Sequence, residues 1–288
     1  MDQADHLRVM ASRGSGECAT RIVSITSGKG GVGKTNIAAN LALLYARKGL
    51  NVLLIDADLG LANANLVLNC TVRKTLDDVM FKNVAMEEIF IKTNYGFDLL
   101  PSSSGYRKIL EMDNFEQRTM FDHMFRAMGK YDIVIYDTAP GIGNHVLSFN
   151  TAAHDICVVA HPEPTALADA YALIKVLHTE KREKRFKLLI NRARTPEEGL
   201  DAYRRLTEVS DEFLNISIDY LGALPEDFSV LRSVRLQRPV AFEAPRCAFT
   251  LALDRIGDKL LAGGFSKGPM NLWDTKHLGL NGAQGSLP

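Results

Sequence analysis

Apolar residues along the chain fall into short unbroken blocks separated by longer stretches with helical spacing. The blocks begin near Arg21, Asn51, Phe97, Tyr131, Asp155, Phe186 and Ile218. Short runs without polar alternation, closed by polar or glycine punctuation, predict strands buried on both faces. Between them, helical patterns run over 35–48, 114–129, 164–181 and 197–214. This alternation predicts an α/β fold, a mostly parallel central sheet with helices on both faces. A final stripe of Phe249, Leu253, Ile256 and Leu260 predicts a packing helix over 249–262 that closes the domain. Within 164–181, Asp169-Ala170-Tyr171-Ala172-Leu173-Ile174-Lys175 reads as a core stripe without chemistry.

Candidate chemistry lies where the first strand ends. Residues 28–35 read Gly28-Lys29-Gly30-Gly31-Val32-Gly33-Lys34-Thr35, after Ile22-Val23-Ser24-Ile25-Thr26 and before the helix that starts near Asn36. Glycines let the backbone wrap an oxyanion, so that successive N–H groups and the helix N-terminus face phosphate. The spacing assigns Lys34 to the β- and γ-phosphates and the Thr35 hydroxyl to Mg²⁺, the arrangement of a P-loop NTPase. Lys29 is surplus to that requirement; it either folds back on its own nucleotide or reaches into a facing subunit.

Two further strands end in acids. Asn51-Val52-Leu53-Leu54-Ile55-Asp56 leads into Ala57-Asp58-Leu59-Gly60-Leu61-Ala62-Asn63, and Tyr131-Asp132-Ile133-Val134-Ile135-Tyr136-Asp137 into Thr138-Ala139-Pro140-Gly141. Open α/β sheets bind ligands at the carboxyl ends of their strands, so these acids are candidates for the same site. Asp137 has the chemistry to hold Mg²⁺ through water, and the glycine turn after it to sense the γ-phosphate by its backbone.

Together these segments resemble the deviant Walker A ATPases of the MinD/ParA family. The resemblance implies that ATP is sandwiched in a homodimer and that Lys29 crosses to the partner's phosphates. It places Asp56 in the outer Mg²⁺ shell, gives Asp58 the attacking water, and sets Asn63 against the partner subunit. Asn191, closing the strand pattern Phe186-Lys187-Leu188-Leu189-Ile190, matches a position that hydrogen-bonds adenine. Pro225 and Asp227 match the family's base-lining loop. The opening residues Asp2-Gln3-Ala4-x-x-Leu7-Arg8 resemble the activator helix of the flagellar FlhG/FleN/YlxH group, which implies docking on a signal-recognition-type GTPase. A flagellar transcriptional regulator and basal-body components are further implied partners.

Composition narrows the alternatives. The chain has 288 residues, 46% of them hydrophobic, and a formal net charge of zero. No global charge pulls it onto nucleic acid or an anionic membrane; Arg232, Arg235, Arg238 and Lys184-Arg185 are the candidates for a local basic patch, with solvated helix faces as the plainer reading. Cys18, Cys70, Cys157 and Cys247 are scattered, which suits a reducing cytoplasm and disfavours the cluster-carrying relatives. Cys157 reads as a small core residue. No apolar run approaches the roughly 18 residues of a membrane span. The expected organisation is an arm over 1–20, an ATPase domain over 21–265 and a mobile tail over 266–288, in the cytoplasm or at the inner face of its membrane. In the tail Met270, Leu272, Trp273, Leu278 and Leu280 follow no helical stripe, and Lys276 is the one basic residue among them. Membrane-cycling division-site selection and DNA partitioning are the alternative readings, separable by vesicle flotation and duplex binding.

Overall fold

A computed structural model describes residues 20–58, 64–82, 84–103, 105, 108–109 and 114–262. Among these residues eight strands form one sheet in the order β3-β4-β2-β5-β1-β6-β7-β8. They are β1 (Arg21–Thr26), β2 (Val52–Ala57), β3 (Ile91–Lys92), β4 (Asp98–Leu100), β5 (Ile133–Thr138), β6 (Asp155–Ala160), β7 (Arg185–Ala193) and β8 (Ser217–Pro225). All neighbours are parallel except the β3–β4 pair, which is antiparallel. The α/β reading therefore holds, and strand starts lie within two residues of the apolar blocks that predict them. Every residue of β1, β2 and β5 is buried, as continuous apolar runs require of strands covered on both faces.

Successive side chains of a strand point to opposite faces, and the cores divide accordingly. Val23, Ile25 and Leu54 pack beneath α1 (Lys34–Arg47), while Ile22, Leu53 and Ile55 pack on the other face. The described helices continue as α2 (Ala64–Val67), α3 (Leu76–Lys82), α4 (Asn114–Met128), α5 (Asn144–Ala152), α6 (Pro164–Lys181), α7 (Pro196–Phe213), α8 (Phe228–Arg235), α9 (Val240–Glu243) and α10 (Ala248–Ala262). The α10 helix lies on α1, where Tyr45 donates its hydroxyl to Gly257 O at 3.0 Å. On the second face, α6 and α7 bury Leu173, Ile174 and Leu206 with Leu188 and Ile190 of β7. Cys157 is fully buried in β6, and Ala170, Leu173 and Ile174 form the core stripe expected of α6. The two-residue β3 and the helices α2, α3, α5, α8 and α9 have no counterpart in the apolar pattern. No described helix is long and apolar enough to cross a membrane.

The order around β1 matters for the site. After β1 the chain crosses to β2 on one side, and after β5 it passes beneath β1 to β6 on the other. Such a reversal opens a crevice at the carboxyl ends of the central strands. The phosphate loop, Asp56 and Asp137 all end there. Asp2, Gln3, Ala4, Leu7, Arg8 and Asn63 lie outside the described residues, as does the tail.

Candidate active site

The loop between β1 and α1 takes its shape from two glycines. Gly33, the residue before α1, has φ 96°, a left-handed conformation that strains any side chain. A Cβ there would also lie 2.6 Å from Asn191 Nδ2. At Gly28 the constraint is space: a Cβ would lie 1.9 Å from the Asp169 carbonyl oxygen. The α6 segment that carries no chemistry in sequence is thus pressed against the phosphate loop, and glycine alone permits it.

Lys34 is buried at 7% exposure. Its Nζ donates to Ser27 Oγ at 2.8 Å, and Ser27 Oγ donates to the Lys29 carbonyl at 2.7 Å. Burial pushes the amine below the ordinary lysine range, against the opposing pull of Asp137 and Asp58. The side chain of Lys29 is exposed, so it is free to reach away from its own loop. Gly30, Gly31 and Val32 form the crown, with Val32 turned inward and both glycines largely solvent-facing. Thr35 and Asn36 follow in the first turn of α1, half-buried.

Across the crevice Asp56 and Asp137 are directly paired in the β2–β5 register and almost wholly buried. Two carboxylates so placed repel one another without water to screen them. Burial, and then the Asp56 charge, push the Asp137 carboxyl up to about 7, although a Thr35 hydrogen bond and Lys34 favour its ionised form. Asp137 Oδ1 has no hydrogen-bond partner among the described residues. Asp56 is better provided: Oδ2 accepts from Ala64 N at 3.1 Å and Oδ1 from Asp58 N at 3.2 Å, which binds both sides of the turn after β2 to this acid. Asp58 is half-buried, and its carbonyl accepts from Ser102 Oγ at 2.6 Å.

The turn after β5 is tied to the loop by Gly141 N donating to Ser27 O at 2.9 Å. Beneath it Asn150 of α5 links β1 to that helix. Ser24 Oγ donates to Asn150 Oδ1 at 2.8 Å, and Asn150 Nδ2 donates to Thr26 Oγ1 at 3.1 Å. Sequence reasoning missed Ser27, Asn150 and His161. The signals were a serine just before the glycine run and a lone amide in an apolar stretch. Nothing local marks His161, which bonds the Val32 backbone and is held below the ordinary histidine range by burial and Arg192.

On the β7–β8 side the residues matched to the base pocket engage the protein's own backbone. Asn191 Nδ2 donates to Val32 O at 2.8 Å and its Oδ1 accepts from Arg192 N at 2.9 Å, so this strand end touches the phosphate loop. Pro225 pairs with Ala193 at the end of β8. Asp227 caps α8, accepting from Ser229 N at 2.8 Å and from Phe249 N at 3.2 Å. These bonds hold its carboxyl below the ordinary range despite burial.

A cation would relieve the crowding of Asp56 and Asp137, and the orphaned oxygen of Asp137 has the hardness Mg²⁺ requires. Among the described residues no group of three or more acidic, histidine or cysteine side chains is placed to hold a metal unaided. Thr35 and Asp137, with Asp56 beside them, would therefore hold such an ion only together with ligands from outside the protein.

Comparison with known proteins gives a consistent result. Residues 20–190 match the AAA_31 family model, described as an AAA domain. The chain is 37% identical over 240 residues to the antiactivator FleN of Pseudomonas aeruginosa, covering 83% of this chain and 86% of that protein. It is 32% identical over 244 residues to the flagellum site-determining protein YlxH of Helicobacter pylori, covering 84% and 82%. Among solved structures, the septum site-determining protein MinD from Pyrococcus horikoshii, complexed with Mg-ADP, superposes with a TM-score of 0.67 at 26% identity, covering 85% and 98%.

Proposed function

Because the chain belongs to the MinD/ParA-like AAA_31 family, in its FleN/YlxH flagellar group, we propose that it is a Mg²⁺-dependent ATPase regulating flagellar number or placement through an ATP-gated homodimer. The observation that carries the ATPase reading is the convergence of Lys34, Thr35, Asp56 and Asp137 at three adjacent strand ends, with one carboxylate oxygen unpartnered. Groups buried in that state give a phosphate–metal complex a large differential affinity.

In this reading the loop amides and Lys34 hold the phosphates, and Lys34 leaves Ser27 to do so. Thr35 and Asp137 would hold the metal, which supplies charge neutralisation between phosphate oxygens when bound. Asp58 accepts a hydrogen bond from water and aligns it. Phosphoryl transfer depends chiefly on positioning and charge stabilisation, so a site completed by the partner's Lys29 is switched by dimerisation. Lys29 supports this by being exposed where Lys34 is buried. The exposed lysine adds charge to a facing site without disturbing its own.

The test is ATP turnover and light scattering on three proteins. Wild type dimerises with ATP and hydrolyses it slowly. Lys34→Ala neither binds nor dimerises. Asp58→Ala binds ATP and accumulates as dimer; if it stays monomeric with ATP bound, the cross-subunit model is wrong. For the flagellar output, counting flagella by electron microscopy in a deletion strain carrying each variant separates a regulator from a general ATPase. GTP turnover by the signal-recognition-type flagellar GTPase, with a peptide of residues 1–20 or its Gln3→Ala form, tests the arm.

A further inference from the structure

Helix α8 and the segment after it present a surface that the site above does not use. Phe228, Leu231, Val234, Leu236, Phe242 and Leu251 are exposed, and together they make up more than half of the large apolar side chains on the described surface. Phe228 is 73% and Leu231 48% accessible, while Ser233 is the residue of α8 turned inward and buried. Phe228, Leu231 and Arg235 are spaced three and four apart and share one helix face. Helices α8 and α9 pack on one another, so Phe228, Leu231 and Val234 lie on a body shared with Phe242, and exposed apolar side chains so placed mark an interaction site.

The charges around them are unusual in kind as well as in sign. Between 228 and 251 every cation is an arginine, Arg232, Arg235, Arg238 and Arg246, and the acid within that span is Glu243, while Glu226 and the capping Asp227 stand at its amino end. Glu243 is occupied by Arg238 at 2.8 Å. Arg232 and Arg235 have no ion-pair partner among the described residues. Arg232 and Arg235 thus stand as uncompensated cations among exposed apolar side chains, and the solvated-face reading of these arginines omits those apolar residues.

Three classes of occupant compete, and composition separates them. Duplex nucleic acid rewards cations along a phosphate track but gains little from phenylalanine and leucine set among them. A bilayer rewards a broad apolar face with basic flanks, whereas here arginines interrupt the apolar residues within two helical turns. Protein interfaces are enriched in aromatic residues and arginine and depleted in lysine and acids, which is the composition of this surface. Its unpaired arginines call for carboxylates on the other side. We infer that the α8–α9 surface docks an acidic segment of another protein, with apolar anchors set between its carboxylates.

The surface is rigidly mounted on the phosphate-loop helix. Ala241 N of α9 donates to Asn40 Oδ1 of α1 at 2.8 Å, and Arg47 Nη1 donates to Ala241 O at 2.8 Å. A partner held on α8–α9 therefore sits on the body that carries Lys34 and Thr35.

The experiment uses full-length protein and two labelled helical peptides followed by fluorescence anisotropy. Both peptides carry leucines at i, i+3 and i+7; one has glutamates between them, the other lysines. Wild type binds the glutamate peptide, less tightly at high salt, and ignores the lysine peptide. Arg232→Glu/Arg235→Glu and, separately, Leu231→Ser weaken that binding by roughly tenfold or more, with ATP turnover and melting temperature unchanged because all three residues are exposed. Equal binding of both peptides, equal binding by wild type and variants, or no binding of either overturns the inference. Retention of wild type, but not the arginine variant, on phosphatidylglycerol vesicles or duplex DNA without glutamate-peptide binding reassigns the surface to lipid or nucleic acid.

Discussion

The two poles of the one sheet treat buried charge in opposite ways. At the amino end of β1, Arg21 is buried against Asp155 at 2.8 Å and donates Nη1 to Leu261 O at 2.8 Å, which secures the end of α10. Lys187 approaches the other oxygen of Asp155 at 3.8 Å. At the carboxyl end, Asp56 and Asp137 face each other in register and Lys34 rests on a neutral serine. The first arrangement pairs opposite charges within the chain and supports the fold. The second is satisfied only when something is added, and therefore can report whether it is present. The difference locates stability and function at opposite poles of one sheet.

The largest effect that would sharpen this contrast is on binding. Lys34→Ala should weaken ATP binding at least ~100-fold, about 2.7 kcal/mol, read with a fluorescent nucleotide, while the ligand-free fold stays intact. At the other pole Arg21→Met should leave buried Asp155 with Lys187 alone at 3.8 Å and destabilise the domain by about 3 kcal/mol in urea, with ATP affinity little changed. If Arg21→Met were harmless, the amino pole would lose its structural role.

Asp137→Asn should act with the opposite sign. Its folded-state carboxyl titrates near 7, above the unfolded value of 3.8, so the native state holds the extra proton between those values. Stability must then fall as pH rises from about 4 to 7. Removing the acid should abolish that slope and stabilise the ligand-free protein at pH 8 by about 1–3 kcal/mol, at the expense of turnover. Saturating Mg-ATP should erase the wild-type slope. A flat wild-type profile would mean that the acids are not in conflict.

The smallest expected effect concerns the β7–β8 side. Asp227→Ala should cost about 1 kcal/mol through loss of the α8 cap and shift ATP affinity by less than roughly twofold. A much larger loss of affinity would make Asp227 a base contact as well as a cap.

Legibility in the sequence followed burial and locality. β1, β2 and β5 were readable because strands covered on both faces admit no polar alternation. The glycine loop was readable because phosphate binding needs a backbone shape that few residues allow. The two-residue β3 and the short helices α5, α8 and α9 were not, since each is shaped by what it packs against. His161 carries no local mark of its bond to the Val32 backbone, and the Asp169 carbonyl gives no hint that Gly28 must lie against it.

The chain by itself determined the layered fold, the phosphate loop and the acids available to it, because hydrophobic period, glycine freedom and strand-terminal charge are local properties. Tertiary structure alone decided that Asp56 and Asp137 stand in register and oppose each other. It also decided that Asn191 and Asp227 turn to the protein's own backbone, and that the arginines of α8 stand among exposed apolar side chains. Those outcomes depend on which strands are neighbours and which helix face is covered, and both are set by contacts between residues far apart in sequence.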